Sequence, residues 1–404
     1  MRGRLARILP PGRNRRLYLG ITLIDATGSG AFGPITILYL TQVVGLAPVR
    51  VGVGLTVAGL FGMAAIPVAG ALADRFDARA LTAGGFALSA VGFAAYTGVH
   101  SFAAFLVVGS FIEIVEGTAK SARRMFAFSL AEGEDRIGLL AYERSTRNVG
   151  YGLGGLLASA ALAGGSRDAY VAVLLLNAAS YAAGTLMVLR LPRALPTAPA
   201  RDHGGYRTVL RDRMYVALAS LSSVLWLNDS VLKVGLALWV VERTHVPPYS
   251  VGLLFTLNTA LVVLLQVRVS RGAGTLAGAG RAYACAGAAL LACCGLFAAA
   301  AGRSTPVAAV LLTAAVAALT LGELTASAAE WGASLTLARE ELRGRYLAVF
   351  STGASLQQAI GPAIVTAALV HGGRGGWIVL GAVLLAVGLG ARTLARAAAG
   401  RVTP

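Results

Sequence analysis

Acidic residues inside long apolar stretches are the feature of this sequence that could do chemistry. A charged side chain at the centre of a membrane helix costs about 2.5–3.5 kcal/mol on insertion scales, so such groups are rare and usually mark a pathway for ions or substrate. A carboxyl group in that setting can bind and release a proton. Four acids of this kind are candidates for proton coupling: Asp25, Glu113, Glu116 and Glu323.

Asp25 is the best single candidate among these acids. It lies within the first apolar stretch, and no lysine or arginine stands one helical turn away. Gly28 and Gly30 follow it, and Pro34 can bend a helix further along. We therefore expect open space beside the carboxyl group. The alternative is a buried aspartate that is hydrogen-bonded across helices.

Two intramembrane acids precede a lysine by one helical turn. Glu116 is followed by Lys120, and Asp229 is followed by Lys233. Side chains four residues apart lie on the same face of a helix and can neutralise each other. Each pair is therefore either self-neutralised on its own helix or part of a polar pathway, and the spacing favours neither.

Polar and aromatic side chains in the same stretches are candidates for contact with a substrate. Amide groups can line a cavity without the cost of a net charge. A tryptophan within a membrane helix can bind a substrate, although packing is its more frequent role. The candidates for a substrate cavity are Trp226, Asn228, Asp229, Gln266, Gln357 and Gln358.

Motifs of enzymes do not account for these residues. A phosphate-binding loop requires Gly-Lys-Ser/Thr, and neither Lys120 nor Lys233 follows a glycine. Gly150, Gly152 and Gly155 match a dinucleotide-binding pattern, but they lie in an apolar helix with no preceding strand, which favours helix packing. The histidines fall in or beside the gaps and form no metal-ligand cluster. We expect neither an enzyme nor a cofactor or metal.

The elements that must position these side chains are long and apolar. Of 404 residues, 56% are hydrophobic and only 13% are charged, whereas soluble domains carry about 25% charged residues. A helix needs about 20 apolar residues to cross a bilayer. Twelve stretches are predicted to do so: residues 17–43, 51–73, 80–99, 102–122, 137–162, 169–189, 214–241, 250–267, 282–301, 307–328, 346–370 and 377–394.

Arginine-rich and arginine-poor gaps alternate between these stretches. Because cytoplasmic loops carry the excess of positive charge, this alternation predicts that both termini are cytoplasmic, which agrees with an even number of spans. The net charge of +17 is distributed among short gaps without interleaved aromatic residues, so we expect no binding of nucleic acid. The arginine-, alanine- and glycine-rich composition indicates a bacterial genome, and hence a multi-pass protein of the bacterial plasma membrane.

The longest gap divides the chain into two similar halves. Residues 191–213 are rich in proline, glycine and charge, which is typical of a cytoplasmic linker. Glu116-Gly-Thr-Ala in the first half is similar to Glu323-Leu-Thr-Ala in the second, and the same spacing separates Gly154 from Gly361. The predicted domains are a six-helix half at 1–190, the linker at 191–213, and a second six-helix half at 214–404.

The gap after the second stretch carries a motif that resembles the major facilitator superfamily. It includes Gly70, Asp74, Arg75 and Arg79, with Asp77 at a place where the family usually has glycine. The resemblance covers the whole chain. It implies an all-α integral membrane protein with twelve transmembrane helices in two six-helix halves, and a cytoplasmic gate formed by this motif.

A second motif, in the fifth stretch, resembles that of antiporters in the same family. Arg147 and Asn148 are followed by Gly150 and Gly154, and we interpret this run as a helix-packing motif. The usual Gly-Pro pair is missing there. It occurs instead at the equivalent place in the eleventh stretch, as Gly361 and Pro362. Gly109 stands where many relatives have an arginine in the fourth helix.

These features together predict a secondary active transporter that works by alternating access between its halves. Several acids and the resemblance to bacterial drug-efflux members favour proton-coupled efflux of a small amphipathic or cationic compound. One alternative is a symporter that takes up a small metabolite. Another is a membrane sensor or scaffold with a transport fold and no flux. We expect a monomer whose partners are the substrate, protons and the lipid bilayer.

Overall fold

The computed structural model describes residues 12–73, 76–130, 135–193, 206–269, 272–338 and 342–402. Within these ranges the chain is almost entirely helical and contains no strand. The chain divides into two compact units. Unit 1 comprises Met1–Ala200 and Tyr249–Thr259, and unit 2 comprises Arg201–Pro248 and Ala260–Pro404.

The first six long helices belong to unit 1. The first of them continues into a short π-helical segment, Tyr39–Val43. The helices are α1 (Arg13–Leu38), α2 (Pro48–Ala73), α3 (Ala78–Tyr96), α4 (Phe102–Ser129), α5 (Asp135–Gly164) and α6 (Arg167–Val188).

The second half of the chain begins with short helices. A π-helical segment, Val231–Gly235, separates the helix that ends at Ser230 from the one that begins at Leu236. The helices are α7 (Tyr206–Arg211), α8 (Arg213–Leu225), α9 (Leu227–Ser230), α10 (Leu236–Arg243), α11 (Ser250–Val269), α12 (Leu276–Ala300), α13 (Thr305–Leu337) and α14 (Arg343–Val402). Gly373, at φ 53° and ψ −128°, breaks α14 and can do so because glycine adopts positive φ without strain.

Ten segments in the described ranges are long and apolar enough to cross a membrane. One of them runs through α8, α9 and α10, and one spans both sides of the break in α14. Helix α5 is not among the ten, although the sequence predicts a span at 137–162, because charged residues and glycines lower its hydropathy. The multi-pass helical membrane protein is therefore confirmed, whereas the count of twelve stays a prediction.

Side-chain caps explain where several helices begin. Asp77 accepts a hydrogen bond from the backbone N–H of Arg79 at 3.1 Å and so caps α3. Ser101 accepts from Ala104 N–H at 3.2 Å at the start of α4. Such caps satisfy backbone donors that the first turn of a helix leaves unpaired. The acid at position 77 therefore has a local structural role in this chain.

Glycines allow α1 and α5 to pack with their backbones in contact. A Cβ added at Gly30 would lie 2.7 Å from Tyr151 Cα, and one added at Gly154 would clash with the backbone of Thr27 and Ala31. A Cβ at Gly28 would lie 2.6 Å from the Asn177 side chain on α6. Close approach at small residues is the usual way in which membrane helices associate. The expectation of open space beside Gly28 and Gly30 is therefore wrong.

Candidate functional site

Five charged residues of unit 1 lie close together among helices α1, α4 and α5. We call them the charge cluster: Asp25, Glu116, Arg123, Glu143 and Arg147. Three of these residues are acids and two are arginines. Sequence reasoning singled out Asp25, Glu116 and Arg147, but it did not identify Arg123 or Glu143 and did not connect the three helices.

Glu116 and Arg123 form the tightest ion pair of the cluster. Arg123 Nη2 lies 2.6 Å from Glu116 Oε2, and Arg123 Nη1 donates to Glu116 Oε1 at 3.4 Å. Ser89 on α3 donates to the same Oε1 at 2.8 Å. The spacing left open whether Glu116 is neutralised by Lys120, one turn away, or belongs to a polar pathway. In the structure, Arg123, two turns away, makes a two-point contact with the carboxylate through its guanidinium, and Ser89 on a neighbouring helix donates to it as well.

Asp25 is the least satisfied acid of the cluster. Its side chain is 7% exposed, and its Oδ2 lies 3.7 Å from Arg147 Nη1 on α5. Its Oδ1 is buried and accepts no hydrogen bond from the described residues. Arg147 also donates from Nη2 to Glu143 Oε1 at 3.1 Å. Arg147 is therefore shared by two acids, and the carboxylate of Asp25 receives the longer and weaker contact.

Tyr181 on α6 places a hydroxyl group beside the cluster. Its oxygen lies 3.5 Å from Ser29 Oγ, and the hydroxyl interacts with the carboxyl groups of Asp25 and Glu116. Its ring stacks on Phe93 with the centroids 5.1 Å apart. A phenol has a single O–H donor, so Tyr181 can donate a hydrogen bond to only one of these carboxylates at a time. The sequence pattern did not indicate this residue.

The other proton-coupling candidates lie in different surroundings. Glu113 is exposed on α4, one turn before Glu116. Glu323 is half-buried on α13, in unit 2. Neither residue belongs to the charge cluster, and Asp25 and Glu116 are the two candidates that the structure brings together.

The substrate-cavity candidates lie mainly in the interrupted part of unit 2. Asn228 is buried and donates to Leu225 O at 2.7 Å across the break between α8 and α9. Asp229 pairs with Lys233 at 2.8 Å, so this acid is neutralised on its own helix face. Gln357 is buried and donates to Ser230 Oγ at 3.4 Å. These contacts give Asn228, Asp229 and Gln357 partners inside the protein.

The remaining cavity candidates are more accessible. Gln266 is half-buried on α11, and Gln358 is exposed on α14. Trp226 is half-buried at the break between α8 and α9, and its Nε1–H donates to Glu330 Oε2 at 2.7 Å. Sequence reasoning missed Glu330. The predicted stretch ends at residue 328, whereas α13 continues to Leu337 and so includes Glu330.

Part of the predicted cytoplasmic gate is described. Asp74 and Arg75 lie outside the described residues, and Gly70 lies near the end of α2. Arg79, in the first turn of α3, donates to Leu189 O at 3.3 Å and to Leu191 O at 2.8 Å. This arginine therefore ties the start of α3 to the chain that leaves α6.

The helix-packing motif has two kinds of residue. Gly150 and Gly154 contact the backbone of α1, whereas Arg147 belongs to the charge cluster and the buried side-chain Nδ2 of Asn148 has no hydrogen-bond partner among the described residues. In α14, a Cβ at Gly361 would clash with Ser230 and Gln357, and Pro362 lies inside the helix. The motif thus both packs helices and contributes an arginine to the charge cluster. No group of three or more potential metal ligands occurs within the described ranges.

Solved transporter structures share the fold of the whole chain. A mutant of the nucleoside transporter NupG superposes with a TM-score of 0.78 at 13% identity, covering 95% of this chain and 99% of that chain. A POT family transporter in complex with 5-aminolevulinic acid gives a TM-score of 0.78 at 16% identity, covering 98% of this chain and 99% of the other.

A structure from a study of proton dependent oligopeptide transporters gives a TM-score of 0.74 at 13% identity, covering 95% of this chain and 98% of that one. At these identities the likeness concerns the fold alone. Comparison with curated protein sequences finds no significant match. Residues 18–362 match the Major Facilitator Superfamily. The chain therefore belongs to the Major Facilitator Superfamily and is a multi-pass membrane transporter.

Proposed function

We propose that this transporter couples the entry of protons to the export of a small amphipathic or cationic compound. The observation that carries the proposal is the state of Asp25, a buried carboxyl group with one 3.7 Å ion pair and an oxygen without a hydrogen bond. A buried anion with an unsatisfied oxygen is costly, and binding a proton removes that cost. Asp25 is therefore suited to exchange a proton during transport.

The neighbours of Asp25 offer a way to convert proton binding into movement. When Asp25 is neutral, its attraction for Arg147 is lost, and Arg147 keeps its 3.1 Å hydrogen bond to Glu143 on its own helix. The ion pair between α1 and α5 is then lost, while the backbone contacts at the glycines of these helices remain. A protonation that changes one interhelical contact can shift the balance between two conformations of the transporter.

Glu116 has a different role in this scheme. Arg123 contacts both carboxylate oxygens of Glu116, and Ser89 donates a hydrogen bond to one of them. The charge of Glu116 is therefore compensated within unit 1. Arg123 also acts electrostatically on Asp25. The Glu116–Arg123 pair therefore supplies a fixed electrostatic environment for Asp25, and the Tyr181 hydroxyl lies beside both acids.

Flux measurements in liposomes test the proposal. Purified protein is reconstituted, a pH gradient is imposed, and the movement of organic cations and of neutral metabolites is followed, with protein-free liposomes and a proton ionophore as controls. We expect a cationic compound to move against the direction of the protons. Movement of a metabolite together with the protons would favour uptake by symport. Absence of flux for every compound would favour a sensor or scaffold.

A further inference from the structure

Glu330 differs from the other paired acids in the kind of partner that its carboxylate has. Its carboxylate accepts a hydrogen bond from the Trp226 indole at 2.7 Å and forms no ion pair within the described residues. Asp25, Glu116 and Asp229 each pair with an arginine or a lysine. Glu330 therefore lies in an apolar helix without a positive partner from the described part of its own unit.

Two phenols of the described residues interact electrostatically with Glu330: Tyr215 on α8 and Tyr283 on α12. The Tyr283 hydroxyl is already within 3.3 Å of Ser222 Oγ. A carboxylate can accept about four hydrogen bonds, and a single indole N–H satisfies one of them. Among the described residues, no hydrogen bond reaches the second oxygen of Glu330, which leaves it available to a ligand.

Trp226 lies at a point where the helix is interrupted. Helix α8 ends at Leu225, α9 begins at Leu227, and the π-helical segment Val231–Gly235 follows. Trp226 keeps right-handed helical dihedral angles, φ −66° and ψ −7°, and the irregularity that follows is a π-helical turn, a feature that often occurs at functional sites. The hydrogen bond to Glu330 fixes the ring, and both side chains remain partly exposed.

We propose that Trp226 and Glu330 form a subsite for a positively charged organic group, such as an amine or a quaternary ammonium or phosphonium ion. The carboxylate of Glu330 supplies a negative charge that pairs with the bound cation. The face of the Trp226 indole ring attracts the same cation through its π electrons. The identification of this cation as the transported substrate rests on the function proposed above, whereas the binding chemistry does not.

Equilibrium binding to the full-length protein in detergent, at one pH and without any gradient, tests this subsite. The probe is tetraphenylphosphonium, measured by calorimetry, with neutral triphenylphosphine oxide as the uncharged comparison. We expect Glu330→Gln to raise the Kd of the cation at least tenfold and to leave binding of the neutral compound within about twofold. The matched control is Glu242→Gln, an exposed acid in α10 of the same unit, which should bind the cation like the wild type.

Trp226 gives a second, independent variant on another helix. Trp226→Ala should weaken cation binding about tenfold, and Trp226→Phe, which keeps a ring but loses the N–H donor, should weaken it less. Wild-type protein that binds tetraphenylphosphonium no better than either Glu330→Gln or Trp226→Ala would overturn the subsite. Because this assay has no proton gradient, the subsite can fail while proton coupling at Asp25 stands, and the reverse also holds.

Discussion

Asp25 on α1 and Arg147 on α5 are 122 residues apart in the chain, yet their side chains form a 3.7 Å ion pair inside unit 1. The pair lies where glycines bring the two helices into backbone contact. Arg147 is shared with Glu143, so its bond to Asp25 can be lost without leaving the guanidinium unpaired. This arrangement connects the proposed proton-binding group, Asp25, directly to the packing of two helices.

Removal of Arg147 alone should destabilise the protein more than removal of the whole pair. Arg147→Gln removes the ion pair of the buried Asp25, on which Arg123 still acts electrostatically, and we expect a loss of about 1–3 kcal/mol, below the range for fully buried pairs because the Arg147 side chain is 35% exposed. Asp25→Asn combined with Arg147→Gln should recover most of that loss. Chemical unfolding of the four proteins of this double-mutant cycle measures the coupling, and additive effects would contradict the pairing.

Arg123 should not be replaceable by lysine. Its guanidinium contacts both oxygens of Glu116, and a lysine ammonium cannot reproduce this two-point contact. We expect Arg123→Lys to cost about 1.5–3 kcal/mol of stability and to lower the rate of transport. Arg144→Lys, on the exposed face of α5, is the control and should change stability by less than about 0.5 kcal/mol. Equal stabilities of the two variants would contradict the role of Arg123.

Two glycines of α5 should respond differently to the same change. Gly154→Ala places a methyl group against the backbone of Thr27 and Ala31, and overpacking of this kind costs about 1–3 kcal/mol. Gly152→Ala is the matched control, because a Cβ there would meet no atom closer than 3.7 Å. Thermal unfolding in detergent compares them. If Gly154→Ala is as stable as Gly152→Ala, then α1 and α5 are not in backbone contact.

Hydropathy and charge alternation were enough to predict the membrane fold and most helix positions, because these depend on local composition. The site was less predictable. Asp25 stood out because no cation lies one turn away, but Arg147 is distant in sequence and only packing brings it near. For Glu116, the one-turn spacing offered Lys120 without deciding its role, whereas the contacts with Ser89 on a neighbouring helix and with Arg123 two turns away depend on packing.

Asp74 is predicted to belong to a conformational latch and not to a substrate site, because it stands between α2 and α3. Asp74→Asn should slow transport while changing the free energy of substrate binding by less than about 1 kcal/mol. Transport rates in liposomes and equilibrium binding in detergent separate the two effects. A loss of binding of several kcal/mol in protein that expresses normally would contradict the latch.

The central claim, that Asp25 carries the coupled proton, is tested most directly by Asp25→Asn in liposomes. Asparagine keeps the size and hydrogen-bonding capacity of the side chain but cannot bind and release a proton. We predict that accumulation of substrate driven by a pH gradient is abolished, while exchange of substrate at equal pH on both sides continues. Accumulation by Asp25→Asn at close to the wild-type rate would contradict the claim.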